Sequence, residues 1–460
     1  MAHQRAAVFS VLIVLALVAS ALALISVSYA LIFGAAILAI VIFFLKPFYG
    51  LLLFLALLYI RPQDFIPELG RMRIMLILAA IIILLYFVHK ISTREKIHIF
   101  LTRQHVLMFM LLVLVPISQM ANLQVTKAWE AAQGFLTVFL LFFILVNIPN
   151  NFKEFRTICW MLFTCTAVIA ADGIIQHFRG VDLIGQTPLV GRITWIGIFG
   201  DPNEFALLLD SFIPFVLVNV FDKEIRPANR IGLTLIGIVM FLAIYYTNSR
   251  GGFVAFLAIL ILFSFKRWGA LRGIAIGAVF LTAGLLIAPS RMTEMDPHEV
   301  SAFGRISAWI NGLSLLKSHP LFGIGYLSFQ TYNSGVAAHS AIIQCLAELG
   351  LIGYFVWLTL LYSSISGLTK FEKRCALSPY RKYANILQLS FAGFIVSALF
   401  LSMAYSATLY ILVALATLVI KSESESVIQP RMLSLGEAVR IVILLAGSVV
   451  VYQILAMVYS

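Results

Sequence analysis

The sequence predicts an all-α, polytopic membrane fold of about 12–15 transmembrane helices, with one long external loop carrying an amphipathic helix. Composition is the first ground. Of 460 residues 62% are apolar and 11% charged, whereas soluble domains average about 45–50% and about 25%, so too little polar surface remains to keep a globule of this size in water. The second is run length, since the apolar stretches match the roughly 20 residues of a helical crossing. The third is charge, because basic residues gather in alternate loops.

Taken in order, the spans fall near 7–25, 27–45, 48–60, 73–89, 104–120, 128–146, 157–177, 203–221, 231–247, 251–265, 271–288, 340–363, 385–403, 406–420 and 441–459. Arg5 before an apolar run, with Val-Ala-Ser-Ala-Leu-Ala at 18–23, also fits a cleavable signal peptide, although a second span follows almost at once. With a cytoplasmic N-terminus, 22 of the 32 Lys and Arg lie in cytoplasmic loops, which fixes the orientation by the positive-inside bias. The segments 178–202 and 289–338, the turn at 248–252 and the start of the span at His339 are then external. The chain divides into N-terminal helices over 1–200, helices with the Arg250 turn over 201–288, the external loop over 289–338, and C-terminal helices over 339–460.

This placement also explains the net charge of +12, which would suit nucleic acid only as a stripe on a folded surface. Cys159 and Cys165 share one apolar span, Cys345 lies in another and Cys375 in a basic loop, which is no disulfide framework. No phosphate-binding loop, dinucleotide fingerprint, metalloprotease helix or hydrolase elbow is present, so ATP coupling and hydrolase chemistry lack support.

The candidate functional residues sit on the external side. Asp201, Pro202 and Glu204 reproduce a helix-start signature, with Asp as cap and Pro at the first position; Asn203 belongs to the same stretch. Asp210, two turns further in, is a candidate partner for an arginine. Arg250 follows Thr-Asn-Ser and precedes Gly251-Gly252, a turn that holds a guanidinium at the outer interface, either as a snorkelling anchor or as a clamp on an anionic headgroup. Gly at those positions would permit a sharp reversal. Glu294-Met295-Asp296-Pro297-His298-Glu299 offers metal ligands but also describes an ordinary loop, and we assign no metal and no cofactor.

Val300, Phe303, Ile306, Ile310, Leu313 and Leu316 recur at three- and four-residue steps, which predicts an amphipathic helix on the outer membrane surface. Arg305 and Trp309 lie one turn apart on it, so guanidinium and ring can meet. His339 stands where the external segment enters a span, and imidazole is the side chain best suited to take a proton near neutral pH. Glu348 is nine residues on, roughly 13 Å deeper and half a turn around, so it does not orient His339 from the same face.

Together, Gly200-Asp201-Pro202-Asn203, Thr247 through Gly252, Gly304-Arg305 with Trp309, Lys317 through Gly325, and His339 leading to Glu348, Gly350 and Gly353 resemble the O-antigen ligase and polymerase superfamily over roughly residues 195–365. Ser340 departs from the Asn that often follows the His in that family. The resemblance implies a metal-independent, inverting glycosyltransferase on the periplasmic face of a bacterial inner membrane, using a glycan on undecaprenyl diphosphate. Arg250 and Arg305 would bind the diphosphate and stabilise its developing charge, while His339 would activate the acceptor hydroxyl. Trp309, Asp201, Asn203 and Glu348 would contribute to substrate binding. The acceptor would be lipid A-core for a ligase, a growing glycan for a polymerase, or a protein for an oligosaccharyltransferase; about fifteen spans exceed the dozen typical of ligases. A solute carrier is the rival outside transferases. It would be expected to show paired broken helices and charges near the midplane, whereas here the cations cluster at one face.

Overall fold

The computed structural model describes residues 40–61, 64, 73–94, 101–189, 191–195, 200–286, 300–423 and 433–459. The expected span at 7–25, most of that at 27–45, and the acidic stretch at 294–299 lie outside the described residues. The described residues form helices and no strand, in the order α1 (Pro47–Ile60), α2 (Ile74–Ser92), α3 (Arg103–Met120), α4 (Val125–Asn147), α5 (Phe152–Arg179), α6 (Pro202–Val220), α7 (Pro227–Tyr246), α8 (Arg250–Leu286), α9 (Val300–Ser318), α10 (Phe329–Tyr332), α11 (Ala341–Arg374), α12 (Arg381–Ala398), α13 (Ala407–Lys421) and α14 (Leu435–Tyr459). Nine of them are long and apolar enough to cross a membrane, with α1 and α13 as shorter apolar helices. Each expected span from 48–60 onward corresponds to one of these helices or to one arm of a broken helix.

The main apolar core runs from Leu51 in α1 to Val419 in α13, and a smaller one joins α9, α10, α11 and α14 around Leu313, Phe329, Ile343 and Tyr452. Helix α13 is apolar on every side and is buried continuously from Thr408 to Val419, as expected of a helix at the centre of a bundle. It packs on α4, α11 and α12, while α6 packs on α7, α8 and α12. The outermost helices show the opposite pattern. Leu84 in α2 and Ile443, Val451 and Met457 in α14 are exposed, as side chains facing lipid would be.

Two long helices are broken. At Gly269 (φ 81°, ψ 178°) α8 doubles back, so that Gly273, Gly277 and Gly284 lie against Phe265, Ile261 and Leu257 of the first arm. At Gly350 (φ 66°, ψ −168°) α11 is interrupted, and residues 320–325 fill the gap. The amides of Ile324 and Gly325 donate to the carbonyls of Ala347 and Glu348, while those of Leu351 and Ile352 donate to Pro320 and Leu321. The interruption therefore leaves few backbone groups unpaired. Gly323 (φ 66°) passes so close that a Cβ there would lie 2.4 Å from the Glu348 carbonyl carbon.

Helix α9 covers the range expected for the amphipathic helix. Its buried residues Ala308, Leu313 and Leu316 face protein, and it packs on α11 and α14. Of the face that the sequence offered to lipid, Leu313 and Leu316 are turned onto the bundle, while Ile310 is exposed.

Candidate functional site

The site assembles at the end of the bundle where α6, α8 and α11 begin. Asp201 caps α6, its Oδ1 accepting from the backbone amide of Asn203 at 2.7 Å and from its Nδ2 at 2.8 Å. Pro202 follows at the first position, where no amide is needed. Asn203 Oδ1 in turn accepts from Arg192 Nη2 at 2.9 Å, and Arg192 Nε donates to the Thr247 carbonyl at 2.7 Å. Arg192 thereby ties the start of α6 to the turn between α7 and α8.

That turn explains its own sequence. Asn248 takes the left-handed conformation (φ 49°), which Asn tolerates better than most residues. Ser249 Oγ then accepts from the Gly252 amide at 3.2 Å and starts α8. The two glycines are helical, so the expected reason for them changes. A Cβ on Gly252 would stand 2.4 Å from Ala206 of α6, and one on Gly251 3.1 Å from Phe400. They allow close helix packing, while Asn248 supplies the reversal, and Arg250 is held at the first turn of α8.

His339 lies just before α11 with φ 49°, a conformation that a non-glycine residue keeps only where its surroundings impose it. Its backbone amide donates to Ser402 Oγ at 2.9 Å. Ser402 belongs to the α12–α13 connection, which α11 also holds through Gln344 Oε1 on the Ala404 amide (3.2 Å) and Trp357 Nε1 on the Ala404 carbonyl (2.8 Å). The next residue, Ser340, caps α11 and shares a 2.7 Å hydrogen bond with Tyr452 Oη. Trp309 stands edge-on to that same ring, 5.1 Å between centroids, and so buttresses the start of α11.

Helix α9 reaches this end because Gly312 lies against Ile343 in the first turn of α11; a Cβ there would lie 2.3 Å from Ile343 Cγ2. Arg305, two turns earlier, comes within electrostatic reach of His339, as does Asp201. Burial first, and then the Arg305 guanidinium, holds the half-buried imidazole below its ordinary value of 6.5, against an upward pull from Asp201. A neutral imidazole at neutral pH can accept a proton.

The structure therefore brings Asp201, Arg305 and His339 together and places Asn203 and the Arg250 turn on the same bundle end. Glu348 sits apart. It is fully buried, and its Oε1 accepts from the Phe329 amide at 3.0 Å, holding α10. Asp210 accepts from Ser397 Oγ at 3.1 Å; the arginine partner suggested by the sequence gives way to a hydroxyl on α12. Among the described residues no group of three or more His, Cys, Asp or Glu is arranged to hold a metal ion. Sequence reasoning singled out neither Arg192, Ser402 nor Tyr452. For Arg192 a signal existed, since it is another basic residue in the segment 178–202 that the charge pattern assigns to the external side.

An apolar slot of 320 Å³ begins beside this end and runs between α11, α12 and α14. Ala341, Ala398 and Leu399 form its upper wall, and Trp357, Leu361 and Leu444 line it further down.

No curated protein matches the chain. Residues 235–358, which run from α7 into α11 and include Arg250, Arg305, His339 and Glu348, match a protein-family model described as O-antigen ligase. In general terms that family implies a glycosyltransferase-like enzyme with a lipid-linked glycan and an acceptor as partners. Over this segment, which carries the site, the chain is similar to the O-antigen ligase and polymerase superfamily.

Proposed function

We propose that the protein transfers a glycan from undecaprenyl diphosphate to an acceptor hydroxyl at the bundle end where α6, α8 and α11 begin, the periplasmic face of the inner membrane. The observation that carries this reading is the position of His339, half-buried and within electrostatic reach of Arg305 and Asp201. The acceptor oxygen attacks the anomeric carbon as the bond to the diphosphate oxygen breaks, the leaving group departing with the electron pair. The acceptor proton passes to the imidazole of His339. Arg250 and Arg305, with the N-terminal ends of α6 and α8, stabilise the charge gained by the diphosphate. Direct attack inverts the anomeric centre, and the chain's own cations carry the charge in place of a metal ion. The 320 Å³ apolar slot suits the first isoprene units of the donor.

Lipid A-core as acceptor makes the protein a ligase; a glycan or a protein acceptor would make it a polymerase or an oligosaccharyltransferase. The carrier reading draws less support, because residues 320–325 fill the interruption at Gly350, where a transporter would open it to a cavity. The test is transfer in proteoliposomes from undecaprenyl-diphosphate-linked glycan, comparing wild type with His339→Ala and Arg250→Ala, with and without EDTA. Loss in both variants and indifference to EDTA is the expected result. Undiminished transfer in the variants removes the site, and loss with EDTA brings back the acidic stretch at 294–299.

A further inference from the structure

A polar cavity of 1010 Å³ opens at the far end of α6, about 28 Å from Asp201 by the rise of a 19-residue helix. The ends of α5, α6, α11 and α12 and the middle of α8 form it. Its acidic side chains are largely engaged. Glu372 takes Lys266 at 3.0 Å and Asp222 takes Lys382 at 2.7 Å, and Asp222 also accepts from the Glu224 amide. Four further cations, Arg156, Lys223, Arg267 and Arg381, line the same space and have no acidic partner among the described residues. The cavity therefore carries an excess of positive charge that its own carboxylates do not neutralise.

Aromatic rings lie among the cations. Phe152, Arg156 and Trp160 share one face of α5 at four-residue spacing, and Phe221 and Phe263, 5.5 Å apart between ring centroids, line the same space. Cations interleaved with aromatic rings, at the ends of membrane-length helices, match the mixed chemistry of a phospholipid, an anionic phosphate joined to apolar acyl chains. A soluble phosphate would use the cations alone and none of the apolar surface that these rings add at the ends of membrane-length helices.

We propose that this cavity binds the headgroup of an anionic phospholipid, with Arg156, Arg267 and Arg381 on the phosphate and the acyl chains leaving over Phe152, Trp160 and Phe221. The site is separate from the His339 end and does not depend on the glycosyl-transfer reading.

The test is native mass spectrometry of the delipidated full-length protein titrated with phosphatidylglycerol, phosphatidylcholine or inorganic phosphate. The variants are Arg156→Gln/Arg267→Gln/Arg381→Gln, Arg267→Gln alone in case the triple variant fails to fold, and Lys46→Gln/Lys153→Gln in a neighbouring cavity lined by those lysines. The expected result is preferential binding of phosphatidylglycerol, weakened about tenfold or more in the triple variant, weakened less by Arg267→Gln, and retained by the lysine variant. Equal binding of phosphatidylcholine, unchanged affinity in the arginine variants, or equal loss in the lysine variant would overturn the proposal. So would inorganic phosphate binding as tightly as the lipid, which would make the cavity a soluble-anion site.

Discussion

His339 and Ser402 meet through a single hydrogen bond, the His339 amide donating to Ser402 Oγ at 2.9 Å across 63 positions of sequence. It fixes the backbone of His339 in the left-handed region (φ 49°), and with it the direction of the imidazole. A loop outside the family match thus sets the aim of a residue inside it.

Replacing Ser402 should therefore act through geometry. Ser402→Ala removes a hydrogen bond worth about 1 kcal/mol, and transfer should fall by about fivefold with little change in donor KM, while Ser402→Thr restores most of it. A kcat for Ser402→Ala equal to wild type would show that the His339 backbone is held by other means.

The pH profile should report His339 directly. Since burial and Arg305 hold its folded pKa below 6.5, the acid limb of the rate should lie below that pH. Arg305→Gln removes one of the lowering influences and should move the limb upward in the activity that remains. The sign for stability is consistent: a depressed histidine contributes fully above its unfolded value of 6.5, and the contribution is lost as pH falls through that value toward the folded pKa. A limb unmoved in Arg305→Gln would separate the two residues electrostatically.

Arg192 should behave as a positioning residue. Its guanidinium joins Asn203 and the Thr247 carbonyl, a planar two-sided contact that lysine cannot reproduce. Arg192→Lys and Arg192→Ala should both lower transfer by about tenfold, corresponding to about 1.4 kcal/mol, with the acid limb unmoved. Full activity in Arg192→Lys would show that charge alone suffices.

The interlock at Gly350 predicts a stability effect. A Cβ there would stand 2.4 Å from the Leu321 carbonyl oxygen, and its dihedrals are open essentially to glycine only. Gly350→Ala should cost about 2 kcal/mol or more, visible as a lower Tm in detergent. Gly447→Ala, where nothing lies within 4 Å, should leave Tm within a degree or two. Equal Tm values for the two variants would contradict the reading of the interlock.

Much of this was legible in the sequence, for local reasons. Apolar runs located the helices because a crossing must be both long and apolar, and Asp201-Pro202 marked a helix start because caps act within one turn. What the sequence hid depends on distant partners. The region 340–363 reads as one uninterrupted span, and only the amides and carbonyls of residues 320–325 make the Gly350 interruption tolerable. Asp210 looked like a partner for arginine, but its hydroxyl donor, Ser397, lies on α12. The Gly251-Gly252 pair suggested a turn because glycine is equally at home in turns and in tight packing; only the nearness of Ala206 and Phe400 separates the two.

The doubling back of α8 at Gly269 has a topological consequence. An outward arm and a return arm amount to an even number of passes, so the chain leaving Leu286 resumes near the level from which Arg250 set out. Parity is what puts Arg305 and Arg250 at one end of the molecule. A mutation that straightened the two arms into one rod would deliver α9 to the opposite end, with every side chain of the site still encoded and none of them able to meet.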